Sequence, residues 1–592
     1  MDIPSQQLRW NLYGTGFENL GRDGKPEWLP TPQPALNELL VRIDAVGICF
    51  SDLKILRLGG AHPKIARDLR THPVVMGHEI SCTIAQVGNS LKNRFHIGER
   101  YIVQADVYVN GRVQAVGYAL DGGYSQYTIF GEPVLNGDAG CYLLRCPDHL
   151  SYAEAALVEP WACVVASYRI HPRPTPQPKG KWLVLVPYAP TVRYRCSRLE
   201  QLRALGYSAG ADSGVGKMLP DAGGVAVIVV DTRGNPLADE FLHTAHQLGM
   251  HAVRLEVSGE NLYEPALLQR VRELHAPDGF TDILIFGTPT SALLETAIDS
   301  LTYGGALSFT CHHAMPPVLV DVGRLHYDRL LLLGTTGWDI TDAYRHTRST
   351  ALRGGERLLL FGAGGAMGQM QLFYALTRPE PPAQVVVVDR HPERLEPLRT
   401  LGTPLAQVSG IDLQFYCNAD AAPEAQRAHL RALCPHGFDQ IMVLASAPDA
   451  VALTYPLLTD GGVLNLFAGI PKGQKVALDL TLLATRHMRV MGSSGSTMDD
   501  ITECLRLVAE GALPARKVIG AIAGLNALPD ALRAVQEHRY PGKIVIFPQL
   551  PELPLLGLQE LAPYLPEVYA NLEDGRYWTK AAEIALETSF RV

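Results

Sequence analysis

Part of this 592-residue chain is written twice. The segment TDILIFGTPTSALLETAIDSLTYGGALSFT (281–310) aligns with FDQIMVLASAPDAVALTYPLLTDGGVLNLF (438–467). Asp282 falls on Asp439 and Gly304-Gly305 on Gly461-Gly462, each 157 residues apart. Upstream, VAVIVVD ending at Asp231 matches VVVVD ending at Asp389, 158 residues on. Downstream, LLLLGTTGWDITD (330–342) matches RVMGSSGSTMDDI (489–501). Each copy alternates short apolar runs with turns and helical stretches. Apolar runs of this kind suit strands covered on both faces, and parallel strands need crossover helices. A duplicated α/β domain is therefore predicted, within a chain long enough for about three domains.

The flanks differ. Residues 1–170 are mostly β: ELLVRIDAVGIC, EISCTIAQVG, ERYIVQADVYV and GYSQYTIF are separated by Gly, Asn and Asp, as in a barrel or sandwich. HPRPTPQPKGK (171–181) has the composition of a linker. The expected division is 1–170 as a β-rich domain, 175–350 as the first α/β copy, and 351–515 as the second. Residues 516–592 follow as a return segment (GLNALPDALRAVQEHRYPGKIVIFP) with a helical tail.

The second copy carries the strongest local motif. In ERLLLFGAGGAMGQMQLFYAL a strand runs into Gly362, Gly364, Gly365 and Gly368 and then a helix. Gly362 permits the tight turn, Gly364 lets backbone approach a pyrophosphate, and Gly368 lets helix pack on strand. Asp389 ends the next strand 21 residues after Gly368. A carboxylate there accepts from a ribose 2′-hydroxyl and repels a 2′-phosphate, which favours NAD over NADP. Arg390 and Arg394 soften that preference. The first copy has PYAPTVRYRC after its strand KWLVLV, without a glycine, so it is expected to be degenerate and to bind no pyrophosphate.

Three segments of the β-rich part carry metal ligands by type: Cys49, Ser51 and Asp52 in VGICFSDLK, His78 and Glu79 in VVMGHEIS, and Glu159 in ALVEPWACV. Each alone is weak, since a Cys is usually a small hydrophobe. Together, Cys49, His78 and Glu159 suit one Zn²⁺ with an open position for an alcohol oxygen. Such an ion acts as a Lewis acid while a nicotinamide carries the hydride. Ser51 is placed to pass on the hydroxyl proton, and Asp52 and Glu79 to support the ligands or, for Glu79, to exchange onto the metal.

With the Gly-rich turn, these segments resemble the zinc-dependent medium-chain dehydrogenase/reductase family. Gly77-His78-Glu79, Gly98-Glu99-Arg100 in place of the usual G-D-R, and GGYSQY (122–127) stand in that family's order. Glu159-Pro160 looks like its polyol branch. ICFSDLKIL, HPVVMGHE, RYIVQADVYVNG, VLNGDAGCYL and AEAALVEPWAC look like the L-sorbose-1-phosphate reductase group. The resemblance covers about 30–170 and 356–546. It implies a GroES-like catalytic barrel, an NAD-binding Rossmann domain, a polyol, sugar or sugar-phosphate substrate, and a homodimer or homotetramer. It departs twice: 101–121 holds no Cys for a structural zinc lobe, and 175–350 has no place in the usual plan. Lys54, Arg57, Lys64 and Arg67 follow Cys49, where a substrate phosphate would want cations.

A net charge of −8 and a pI near 6.2 argue against nucleic-acid or anionic-membrane partners. The ten cysteines include no C-x-x-C pair, and no signal peptide or membrane-spanning run is evident, so cytoplasm is the expected compartment. Two competing readings are a zinc-free reductase of the same superfamily and a non-catalytic NAD-binding or scaffolding protein. Metal content separates them from the first.

Overall fold

The computed structural model describes residues 3–590 apart from 179, 190–191, 198, 200–225, 233, 346–347 and 493. Pro190 and Thr191 of the glycine-free stretch thus lie outside the described residues. The chain forms two units. One comprises Met1–Ala166, Gly364–Arg378 and Gly495–Val592, the other Ser167–Ala363 and Pro379–Ser494. No helix among the described residues is long and apolar enough to cross a membrane.

The first unit is built on an eight-stranded sheet. Its order is Leu143–Arg145, Arg100–Val103, Glu79–Val87, Leu39–Gly47, Lys543–Phe547, Ile519–Gly524 and Leu556–Gly557, with Tyr127–Phe130 also paired to Leu39–Gly47. The return segment therefore closes the same sheet that the N-terminal part opens. Val41, Ile43, Ile80, Ile84, Ile544 and Ile546 are fully or almost fully buried in one core. Burying each such side chain is worth about 1.5–3 kcal/mol.

The second unit holds two six-stranded parallel sheets with one strand order. In the first copy it is Ala252–Val257, Val227–Thr232, Trp182–Val186, Phe280–Ile285, Leu301–Thr310 and Leu331–Thr335. In the second it is Asp412–Cys417, Gln384–Asp389, Arg357–Phe361, Phe438–Val443, Leu458–Leu466 and Arg489–Gly492. Numbered along the chain, both run 3-2-1-4-5-6, the doubly wound order of dinucleotide-binding domains. Trp182–Val186 is buried at every residue, as a central parallel strand should be.

The copies meet along equivalent edges. Val318–Asp321 pairs antiparallel with Lys475–Leu478, Val318 opposite Leu478 and Asp321 opposite Lys475. A shift of 157 residues exchanges the two pairs, so the contact has the self-complementary form of a two-fold interface. One apolar core runs through both copies, from Leu183 and Ile285 to Val443 and Val490.

The structure corrects one anchor of the sequence alignment. Phe280 and Phe438 both open the fourth strand, pairing with Leu301 and Leu458 before an irregularity in register. Asp282 then corresponds to Gln440, and Asp439 to Thr281. The first copy has one more residue between fourth strand and helix, which absorbs the slip. Because strand side chains alternate, a one-residue slip sends the two acids to opposite faces.

Candidate metal centre and nucleotide edge

Cys49 sits where the strand Leu39–Gly47 gives way to the helix Phe50–Leu58. It is the cap of that helix, and Asp52 completes a capping box by accepting from the Cys49 N–H at 2.9 Å. The helix N-terminus points its partial positive charge at the sulfur. His78 follows Gly77, whose φ of +88° turns the chain into the strand that Glu79 begins. A side chain at Gly77 would meet the Tyr124 ring at 2.9 Å, so both conformation and space call for glycine.

These segments bring one donor atom each from Cys49, His78 and Glu79 within 4.8 Å of one another. Ser51 Oγ is 3.4 Å from His78 Nε2. Asp52 faces the other ring nitrogen, its Oδ1 3.6 Å from His78 Nδ1, while its Oδ2 accepts from the Tyr124 hydroxyl at 2.8 Å. A carboxylate behind Nδ1 leaves Nε2 for the Cys49 side, the usual arrangement behind a metal-binding imidazole. Glu159 lies in the first turn of the helix Val158–Ser167, half-buried and outside the three-atom group. Burial pushes its carboxyl up against the opposing pull of His78, and the Glu79 charge adds to the rise.

The donors fit a cation. Glu79 Oε2 is buried with no hydrogen-bond partner among the described residues, while His78 Nδ1 and Asp52 Oδ1 are buried against each other at 3.6 Å. Burial favours a neutral His78, yet Tyr118, Asp52 and Cys49 together hold its imidazole well above its ordinary value. Thiol, imidazole and carboxylate form the mixed donor set zinc accepts.

Lys543 carries no local sequence signal. Its Nζ lies 2.5 Å from Glu79 Oε1 and donates to the Ile48 carbonyl at 2.6 Å, fully inside the first unit. The strand Lys543–Phe547 pairs with Gly47, which carries Lys543 there from 464 residues away in the chain. Gly47 itself is required by Glu79, whose Oε2 would lie 2.0 Å from a Cβ at 47. Tyr118 was also missed; its ring lies 5.6 Å from that of His78. Of the four candidate phosphate cations, Lys64 pairs with Asp106 at 2.5 Å and Arg67 with Asp121 at 3.4 Å. Lys54 and Arg57 have no acidic partner among the described residues, and Lys54 is half-buried near Cys49.

In the second unit, Gly362 follows the strand Arg357–Phe361 with φ +80°, and a Cβ there would lie 2.7 Å from the Ala445 nitrogen. Asp389 ends the neighbouring strand, buried, and accepts from the His391 N–H; Arg390 beside it is exposed. In the first unit, Gly365 caps the helix Ala366–Leu376, which contains Gly368, with no side-chain cap among the described residues. Gly364 opens that unit's share of the loop.

The first copy differs at the equivalent places. Trp182 pairs with Asp282 as Leu358 pairs with Gln440, so Val186 stands where Gly362 does. Asp231 matches Asp389, but Arg254 grips both its oxygens, at 3.0 and 2.5 Å. By register, Phe415 takes the place of Arg254 in the second copy.

Residues 35–135 match the family model for the alcohol dehydrogenase GroES-like domain. Mannitol-1-phosphate 5-dehydrogenase of Aliivibrio fischeri is 21% identical over 567 residues, 94% of this chain and 92% of that protein. L-sorbose 1-phosphate reductase of Klebsiella pneumoniae is 30% identical over 149 residues, 25% of this chain and 35% of that protein. Among solved structures, 2R,3R-butanediol dehydrogenase from Bacillus subtilis is similar in fold, with a TM-score of 0.50 at 15% identity over 92% of this chain and 99% of that one. In these residues the chain is similar to the zinc alcohol dehydrogenase-like proteins of the medium-chain type, and its fold is mixed α/β with two parallel Rossmann-like sheets.

Proposed function

We propose that this protein is an NAD-linked, zinc-dependent dehydrogenase or reductase of a secondary alcohol or ketone in a polyol, sugar or sugar phosphate. The observation that carries this reading is the enclosed group of Cys49, His78 and Glu79. Cys49, His78 and a carboxylate, Glu159 or Glu79, would hold one zinc ion. Zinc so held would supply Lewis acidity to the substrate oxygen, and the nicotinamide would take or give the hydride. Asp52 fixes the His78 ring, and Lys543 holds Glu79 in place. Ser51, beside His78, is placed to pass the hydroxyl proton outward. Gly362, Gly364, Gly365 and Gly368 would admit the pyrophosphate, while Asp389 would set the preference for NAD, softened by the neighbouring Arg390. Both named relatives act on phosphorylated substrates, which supports a phosphate-bearing substrate met by Lys54. The family resemblance carries with it a cytoplasmic homodimer or homotetramer and no structural zinc.

Elemental analysis of the purified chain should give about one zinc per chain. Cys49→Ser should lose both the metal and NAD(H)-coupled turnover on a panel of polyols, sugars and sugar phosphates. Turnover by zinc-free wild type would instead support the metal-free reductase. Nucleotide binding with neither zinc nor turnover would support the non-catalytic reading.

A further inference from the structure

The first copy has lost its own pyrophosphate turn, yet one of its helices lies against the carboxyl edge of the second copy's sheet. Val322–Tyr327 packs on Arg489–Gly492, and His326 approaches so closely that a Cβ at Gly492 would lie 3.1 Å from its Cα. The exchange is mutual. The helix Thr481–Thr485 packs on Leu331–Thr335, where a Cβ at Gly334 would lie 3.0 Å from the Ala484 nitrogen. Gly334 and Gly492 are equivalent, pairing with Phe309 and Leu466, and lie 158 residues apart. Residues 326 and 484 are separated by the same 158. The copy with an intact Gly-rich turn thus receives a histidine from its neighbour, and the degenerate copy receives an alanine.

His326 is buried, and its Nδ1 donates to the carbonyl of Leu466 at 3.0 Å. Leu466 ends the fifth strand and Gly492 the sixth. In a 3-2-1-4-5-6 sheet the two halves of a dinucleotide lie across the switch point. With Asp389 marking the adenosine half on strand two, strands four to six underlie the nicotinamide half. The hydrogen bond fixes the peptide by which the chain leaves strand five, as Phe467 and Ala468 turn back onto the Val443 carbonyl. Asp328, two residues on, bonds Lys472 of the second copy at 2.5 Å, and Asp321 accepts from the Gly473 N–H, so the helix is tied down at both ends.

We infer that His326 is a positioning residue for the nicotinamide half of the cofactor, supplied to the second copy by the first. This rests on the dehydrogenase reading above. The test is fluorescence titration of the full-length protein with NADH, beside calorimetric titration with ADP-ribose, which lacks the nicotinamide. His326→Ala installs the residue that the equivalent position already accommodates. It should weaken NADH roughly three- to tenfold, the value of one net hydrogen bond, and leave ADP-ribose within about twofold. His326→Asn, which keeps a donor at that reach, should restore NADH. Asp328→Asn should lower the melting temperature without separating the two nucleotides. Unchanged NADH binding in His326→Ala, or equal loss of both nucleotides, overturns the inference. Wild type that binds neither nucleotide overturns the dehydrogenase reading instead.

Discussion

In the second α/β copy the first strand runs into Gly362; in the first copy Val186 stands there. The second strand ends in an acid in both, but Asp231 is held by Arg254, and Phe415 takes that arginine's place beside Asp389. Strand order, core and edge pairing are otherwise shared. The difference teaches that the proposed nucleotide site depends on a few strand-end residues, while the sheet persists on packing alone. A sheet can keep its hydrophobic layers after its ligand chemistry is gone.

The most severe test moves one residue between copies. Gly362→Val gives the second copy the residue of the first. A β-branched side chain at positive φ, pressed against Ala445, should cost roughly 3 kcal/mol, about a hundredfold in NADH affinity. Retained zinc would show that the first unit survives the change. The converse, Val186→Gly, should create no second site, because Arg254 still occupies Asp231; a second equivalent of bound NADH would break the comparison.

A smaller contrast concerns the acids that the sequence aligned. Asp439 makes a two-pronged pair with Arg357 at 2.8 Å, and although burial opposes it, these bonds hold its carboxyl below the ordinary value. Its stabilisation is present above the ordinary carboxylate range and fades as pH falls through the lowered folded value. Asp439→Asn should therefore cost about 1–2 kcal/mol at pH 7 in urea denaturation. Asp282 behaves oppositely. Burial pushes it up to about 6 from 3.8, despite Arg173. As pH rises from 3.8 to about 6 the unfolded chain ionises first and stability falls. Asp282→Asn should flatten that slope in urea denaturation across this pH range. Parallel pH profiles for both variants would contradict the opposite-face placement.

Much of this was legible in the sequence because it is local. The repeat, the strand ends, the glycine turn, and Cys49 with His78 all rest on short-range patterns. What was hidden is long-range. Nothing near Glu79 announces Lys543; the sequence sets Glu159 on the metal, with Glu79 in support or exchanging onto it, and the geometry gathers Glu79 with Cys49 and His78. The slip between Asp282 and Asp439 escaped because one extra residue in a turn leaves flanking glycines in step. His326 belongs to no local motif, and its place follows only from the packing of its helix against the other copy.

The edge contact between the copies also has a consequence for how the molecule behaves on dilution. Two separate subunits joined by such a contact part when their concentration falls, and each change to one side is imposed on the other. Here the partner is tethered in the same chain, so the contact persists at any concentration, and its two sides are free to diverge. Histidine on one side and alanine on the other is a division of labour that an assembly of identical halves cannot encode.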